Sequence, residues 1–575
     1  MNRALQSSCL KAGLGGWGIA LLTAGAILGG SLLAPDQTFA ESPQDPGQRI
    51  VPLDEDVYPY LRGMALEAGV LPPSSSVPFS IEELENELRR IRRNSLEAGT
   101  RGKAGTAAEE EVNRFIQKRP VYDEPGGFAF YPDLRIQAEA YLHTNRDYDT
   151  WGYGAEDRKP IMGILADAVF FHALDLYIDL TVQKDPFQAG GDPDNYTNIL
   201  TSPYQFDLNI PYRAGASFGG EHWNVWLGRD KLSWGNGRTG NLLLSDADLY
   251  HEGLRFTTWW ERFKFTFLLL GLESWQMETA PDGTPYPYET EPEPEQFKMF
   301  LAHRLEFPIL PNLRLTVNES IVYGGKYPDL RVFNPLMIYH NLYLKEYTNS
   351  LMTLEMDYVP FPGLYVYAQY AQDQLSTIFE KDSYGTDEEP NAMGYLAGVE
   401  FQRGIGGGWL RIGYEFVKTD PWLYIRETPY VSFFSTRRVH SESRKEVLGE
   451  KNYYFLNTPP GYQYGPDAVV NSLRIVYEVP ARYKMFIEYA LIFKGENEVT
   501  TCFLTGDPAW ALDTPSGTPD VQNWITLGGE YPVSRKFLVL IQTDFVYNGN
   551  EGHKKGRTAL DFQVVFGLRY RPLNE

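Results

Sequence analysis

The chain has 575 residues, of which 14% are aromatic (38 Tyr, 32 Phe, 12 Trp), with 53 Gly and a formal charge of -23. Such an acidic balance argues against a nucleic acid or an anionic lipid surface as an electrostatic partner. At the N-terminus, Arg3 and Lys11 precede an apolar, Gly/Ala-rich run from Leu14 to about Leu33, and Thr38-Phe39-Ala40 stands before the polar Glu41-Ser42. This pattern predicts a secretory signal peptide over residues 1–40. Its removal takes away Arg3, Lys11 and Asp36, which sum to +1, and leaves -24. Of the two cysteines, Cys9 and Cys502, only Cys502 then remains, so no internal disulfide is expected.

Residues 41–127 read as a helical region. In SIEELENELRRI, Ile81, Leu84, Leu88 and Ile91 recur at helical spacing, and Ser80 with Glu83 predicts a capping box. Further helices are expected around Val57–Ala68 and from about Ala107 to Lys118. From residue 128 to 575 the period becomes two. Leu134, Ile136, Ala138, Ala140 and Leu142 share one face, against Arg135, Gln137, Glu139, Tyr141 and His143 on the other. Similar alternation recurs in strands expected to start near 134, 162, 174, 212, 223, 253, 263, 298, 313, 350, 364, 393, 409, 469, 482, 522, 536 and 557. Alternation alone fits either a membrane barrel or a soluble sandwich. The connections favour the barrel: short ones such as His172-Ala173 and Glu261-Arg262 alternate with long ones such as 274–297 and 418–468. The expected fold is an all-β transmembrane barrel of eighteen antiparallel strands, with water lining the polar inner face and a small periplasmic helical region before it.

The long connection LSWGNGRTGNLLLSD, Leu232 to Asp246, contains Gly235-x-Gly237-x-x-Gly240. That fingerprint signals a dinucleotide only between a strand and a helix, and here the flanks GEHWNVWLGRD and EGLRFTTWW are both strand-like. No cofactor is expected. Placed at the outer mouth, Trp234 offers a flat face for a sugar ring, and Arg238, Arg229 and Lys231 offer local positive charge; a loop ordered for its own packing is the other reading.

The stretch Trp226–Asp248, WLGRDKLSWGNGRTGNLLLSDAD, resembles the corresponding segment of the capsule assembly (Wzi-like) outer-membrane protein family. The segments Phe300–Gly325, Phe333–Leu336, Gly363–Gln374 and Tyr462–Ala468 match in order and spacing, after a head beginning near VPLDEDVYPYLRGMALEAG. The resemblance implies an outer-membrane barrel that binds extracellular, capsular polysaccharide and helps attach or assemble it at the cell surface. Its implied partners are that polysaccharide, outer-membrane lipid and the barrel-assembly machinery. Two features depart from the pattern: the chain runs past Tyr570 into Arg571-Pro-Leu-Asn-Glu575 instead of ending on an aromatic, and the 418–468 loop is long.

No HExxH, GxSxG or paired-Cys motif is present, and no metal is expected. Glu139, Asp179, Asp373, Glu488 and Asp561 fall on polar faces, where a solvated lining is the default, so no catalytic residue is assigned and the protein is read as a non-enzyme. A diffusion porin is the alternative function.

Overall fold

The computed structural model describes residues 47–573 apart from 100–101, 125–126, 146–149, 155–156, 186–195, 274–296, 325–329, 340–346, 375–391, 427–430, 449–451 and 502–511. The expected signal peptide and both cysteines lie outside the described residues.

Eighteen antiparallel strands close into a barrel, each paired with its neighbours in sequence. The last, Thr558–Tyr570, closes on the first, Phe128–His143, from Gln563↔His143 to Tyr570↔Ile136. Strands begin at 128, 162, 174, 214, 223, 251, 263, 298, 313, 348, 364, 392, 408, 468, 483, 520, 537 and 558, within two residues of expectation everywhere but the first. There, Pro132 hides the continuation of the strand toward its N-terminus. It is tolerated because residues 131–135 pair on one side only, with Asp167–Gly163, while the closing strand begins its pairing at Ile136.

Which side each parity faces decides the solvent. Ile178, Leu315 and Phe562 are 36%, 39% and 44% exposed on the outer wall, whereas Arg304, Glu415 and Asp544 are buried inside. A soluble barrel buries its apolar face; this one shows it to its surroundings, as a lipid-facing wall does. Arginine substituted at Ile178, Leu315 or Phe562 is expected to cost about 2–4 kcal/mol where the position lies near the bilayer midplane. Refolding midpoints in lipid vesicles check this; no loss at any of the three would sink the membrane assignment.

The inner face differs from expectation in one respect: much of it is packed rather than lined by water. Gln563 is fully buried, accepting from Gly152 N at 2.8 Å and donating to Thr150 O at 2.7 Å. Glu139 accepts from the hydroxyls of Tyr141 and Tyr153, and Asp561 accepts from the amides of Thr144 and Asn145. Asp179 is held by Arg213, and Glu488 by Arg474 and the Ser472 hydroxyl.

Among the described residues three helices precede the barrel: α1 Val57–Ala68, α2 Ile81–Ala98 and α3 Lys103–Ile116. Ile81, Leu84, Leu88 and Ile91 of α2 share a buried cluster with α1, with Val112 and Ile116 of α3, and with Trp409 from the barrel. Ser80 caps α2 by accepting from Glu83 N at 3.3 Å. The reciprocal half of the expected capping box is replaced: the Glu83 carboxylate pairs with Lys264 of the barrel instead. The head rests on the short-turn end. Asn86 donates to Glu221 O, Arg93 pairs with Glu261, Gly363 N donates to Leu66 O and Ala481 N to the Tyr60 hydroxyl. No described helix is long and apolar enough to cross a membrane.

Candidate functional site

Two inward-folded segments meet inside the barrel. From the helical end, residues 71–79 rise between α1 and α2 into the lumen, where PPSSS supplies short hydroxyls and free carbonyls to a ring of barrel cations. Arg304 donates to Ser75 Oγ at 2.6 Å, Arg314 to Pro73 O at 3.0 Å, Arg255 to Pro78 O at 2.7 Å and Lys264 to Ser74 Oγ at 2.8 Å. From the other end comes the 231–250 connection. The two join as a short antiparallel ladder, Ser76↔Trp234 and Val77↔Ser233.

Trp234 lies inside the barrel. Its side chain is 1% exposed, within a cluster that includes Leu242, Leu243, Leu244, Phe300 and Tyr365, so its indole is not offered to a sugar at the outer mouth. The leucines are the cause: three consecutive apolar side chains in an outer loop find burial only by turning into the barrel. Arg238 is also inward, donating to Ser472 O and Oγ at 3.1 Å. Arg229 pairs with Glu252 at 2.9 Å, and its guanidinium lies 3.9 Å from the Tyr250 ring centroid. Lys231 donates to Asp246 O at 3.0 Å from an exposed position. The four expected site residues therefore do not converge on one surface.

The glycine fingerprint does cradle an anion, but an internal one. Glu415 receives the amides of Arg238 at 2.7 Å and Thr239 at 2.8 Å, with the hydroxyls of Thr239 at 2.6 Å and Tyr367 at 2.7 Å. Gly235 has φ 122°, and a Cβ there would lie 2.2 Å from Gln369 Nε2, so only glycine fits. Consecutive amides turned onto a carboxylate make the same kind of nest that holds phosphates elsewhere.

Over this plug lie the described parts of the 420–467 connection. Tyr424 donates to Leu242 O at 2.5 Å, and Ser245 N to Pro460 O at 2.7 Å. Burial pushes the Tyr424 and Tyr462 phenols above the ordinary tyrosine range, so both remain neutral at any physiological pH. Arg437 grips Asp248 through Nε and Nη2 at 2.8–3.0 Å and lies 4.0 Å from the Tyr250 ring centroid. Arg437 was not singled out from sequence; the adjacent Arg437-Arg438 facing SDAD was the available signal.

Arg437 belongs to a hairpin, Ser435–His440 with Tyr453–Thr458. Alternation gives it two faces. Arg437 and Val439 are buried toward the plug, while Arg438 is exposed, and Tyr453 and Phe455 are half-exposed on the face they share with it. The Arg438 guanidinium lies 4.1 Å from the Tyr453 ring centroid, and the rings of Tyr453 and Phe455 are 5.7 Å apart. Beyond the strand, the Asn452 hydrogen bond holds the Glu442 carboxyl below its usual value.

Beside the plug remains a cavity of about 1720 Å³. It reaches from Arg482 and Lys536 at the short turns to Gln463 and Tyr464, and Trp524 and Arg474 also line it. Among the described residues, no group of three or more His, Cys, Asp or Glu is placed to hold a metal ion.

Residues 198–434 match the family model of the capsule assembly protein Wzi. Over that part the chain is similar to the Wzi family, and its fold is a closed eighteen-stranded barrel. The solved structure of Escherichia coli Wzi, described as an outer membrane protein involved in group 1 capsule assembly and a carbohydrate-binding β-barrel, aligns at TM-score 0.57 and 14% identity over 90% of this chain and 98% of its own. At that identity the likeness is one of fold. Pseudomonas aeruginosa OccK3 aligns at TM-score 0.37 and 9% identity, covering 77% of this chain and 95% of its own. Vibrio cholerae OmpT aligns at 0.32 and 11%, covering 79% and 100%. No curated protein matches the sequence.

Proposed function

We propose that this Wzi-like barrel binds extracellular, capsular polysaccharide and helps attach it at the cell surface. On this reading residues 1–40 direct export, the barrel-assembly machinery inserts the chain, and the helical region lies on the periplasmic side. The observation that carries the proposal is the outer hairpin, in which two aromatic rings and a guanidinium share an outward face above the plug. Rings stack on the apolar faces of sugars, and a guanidinium donates in a fork to hydroxyls or to an acidic sugar's carboxylate. With a charge of -24 once residues 1–40 are removed, an acidic polysaccharide is repelled at long range, so attraction has to be local. Arg229 and Lys231 remain candidates for a flanking contribution, and Trp234 and Arg238 position the loop instead.

Arg438→Ala and Tyr453→Ala are expected to weaken binding by about 1–3 kcal/mol each, roughly 5- to 150-fold, with unchanged amounts of heat-modifiable barrel. Polysaccharide retained on cells, set against folded barrel in the outer membrane, measures this. Normal retention by both variants, where a null strain loses it, removes the hairpin from the function. The porin alternative is tested in planar bilayers. A lumen occupied from both ends is expected to conduct far less than an open eighteen-stranded barrel, and a large steady conductance would favour the porin.

A further inference from the structure

The outer wall carries a pair of titratable groups where lipid is expected. His303 of the strand Lys298–Leu310 stands directly opposite Glu319 of Leu313–Gly324. Both lie on the outward parity, shared with Phe307 on the first strand and with Leu315 and Val317 on the second, all three exposed. Their Nε2 and Oε2 atoms are 3.3 Å apart. Lys298 marks the outer end of its strand, because the short turn that follows Leu310 sits at the helical end. At about 3.4 Å per residue and a tilt near 40°, His303 lies roughly 13 Å below that outer end, inside an apolar band about 25 Å tall. A carboxylate and an imidazole at that depth are costly when bare to hydrocarbon.

They are not bare. Part of the connection after Gly324, residues 330–339, folds back down the outside of the wall. The Tyr339 ring lies 5.0 Å from the His303 ring and is 2% exposed. Val332 is fully buried, and Phe333 and Met337 lie against the same wall residues, Leu301, Ile321 and Tyr323. On the segment's other side, Leu330, Leu336 and Ile338 are 86%, 78% and 57% exposed. Three large aliphatic side chains turned away from the barrel, continuous with its lipid-facing belt, are out of place in water and in place among acyl chains.

We propose that residues 330–339 form a clip embedded in the outer leaflet, which covers the His303–Glu319 pair with Tyr339 and contacts the acyl chains of outer-membrane lipid through Leu330, Leu336 and Ile338. The clip covers a polar break in the wall with the Tyr339 ring and turns Leu330, Leu336 and Ile338 outward. It also fixes to the bilayer one outer connection that would otherwise be counted among the aqueous loops.

A nitroxide placed by Leu336→Cys in the full chain, with Cys9 and Cys502 changed to Ser and the protein in phospholipid bilayers, reads the occupant directly. Its collision rates with oxygen and with a water-soluble nickel chelate are compared with those of Leu315→Cys on the open wall and Lys554→Cys in an exposed outer turn. An oxygen-to-nickel ratio nearer that of position 315 supports the clip; one nearer that of position 554 overturns it. Exclusion of both reagents, with cross-linking between copies, assigns the surface to a second copy and also overturns it. The covering role has its own readout. Tyr339→Ala is expected to lower the refolding midpoint more in the parent than in the His303→Leu/Glu319→Leu background, and equal losses in both backgrounds refute it.

Discussion

Trp234→Ala is expected to deplete the folded barrel rather than to impair a surface that remains folded. The indole is 1% exposed among Leu242, Leu244 and the inner wall, and its backbone joins the two plugging segments through Ser76↔Trp234 and Trp234 N→Leu244 O at 2.9 Å. Truncating a buried tryptophan removes its transfer free energy and leaves a cavity, together about 3–5 kcal/mol. That is a large part of the stability of most folded domains, so the heat-modifiable fraction and the urea midpoint should both fall. Arg438→Ala is the matched control: it should lower polysaccharide retention while leaving the midpoint unchanged. If Trp234→Ala leaves the midpoint unchanged and lowers retention only, the indole is a ligand platform and the buried arrangement does not hold in the membrane.

The contrast between these two positions marks how far the chain could be read. Strand number, parity and the short-turn rule were legible because each rests on a local period of two and on turn length, and all eighteen strands followed from them. The helices were legible from a different local period, about 3.6 residues, as Ile81, Leu84, Leu88 and Ile91 show for α2. What periodicity does not carry is the direction in which a long connection folds. Trp234 reads as a mouth residue until its partner is known, and that is Ser76, far away in sequence, next to Ser75, whose carbonyl accepts from Gly235 N. One signal was present: Leu242-Leu243-Leu244 in a loop that water was supposed to surround. The same limit explains Glu415, whose partners come from the glycine loop, and Gln563, whose partners come from residues 150–152. An alternating strand shows which residues point inward without showing whether water or another segment meets them there. The 330–339 segment is a further case, turning outward where Leu232–Asp246 turns inward.

The join between head and barrel rests on Arg304, and its loss is expected to be felt at both. Fully buried, Arg304 holds Glu355 through Nη1 at 2.5 Å and Nη2 at 3.0 Å, Glu306 through Nε at 3.0 Å, Asn318 at 3.1 Å and Ser75 Oγ at 2.6 Å. A planar guanidinium with five donors satisfies this set, which no lysine could reproduce. Arg304→Ala strands Glu355 without its cation and weakens the compensation of Glu306, which retains Arg314 at 3.6 Å and the Ser74 hydroxyl. Removing one partner of a buried ion pair costs about 3–5 kcal/mol, because the remaining charge keeps its desolvation penalty. The segment 71–79 loses its anchor at Ser75 at the same time, so limited proteolysis should cut between α1 and α2 in the variant and spare the parent. The pair itself need not be stabilising relative to apolar side chains that fill its volume, so Arg304→Met/Glu355→Met is expected to recover much of the lost midpoint. If the two single losses simply add in the double variant, the network is not coupled, and the head is held by its other contacts, among them Trp409, the Lys264–Glu83 pair and the short turns.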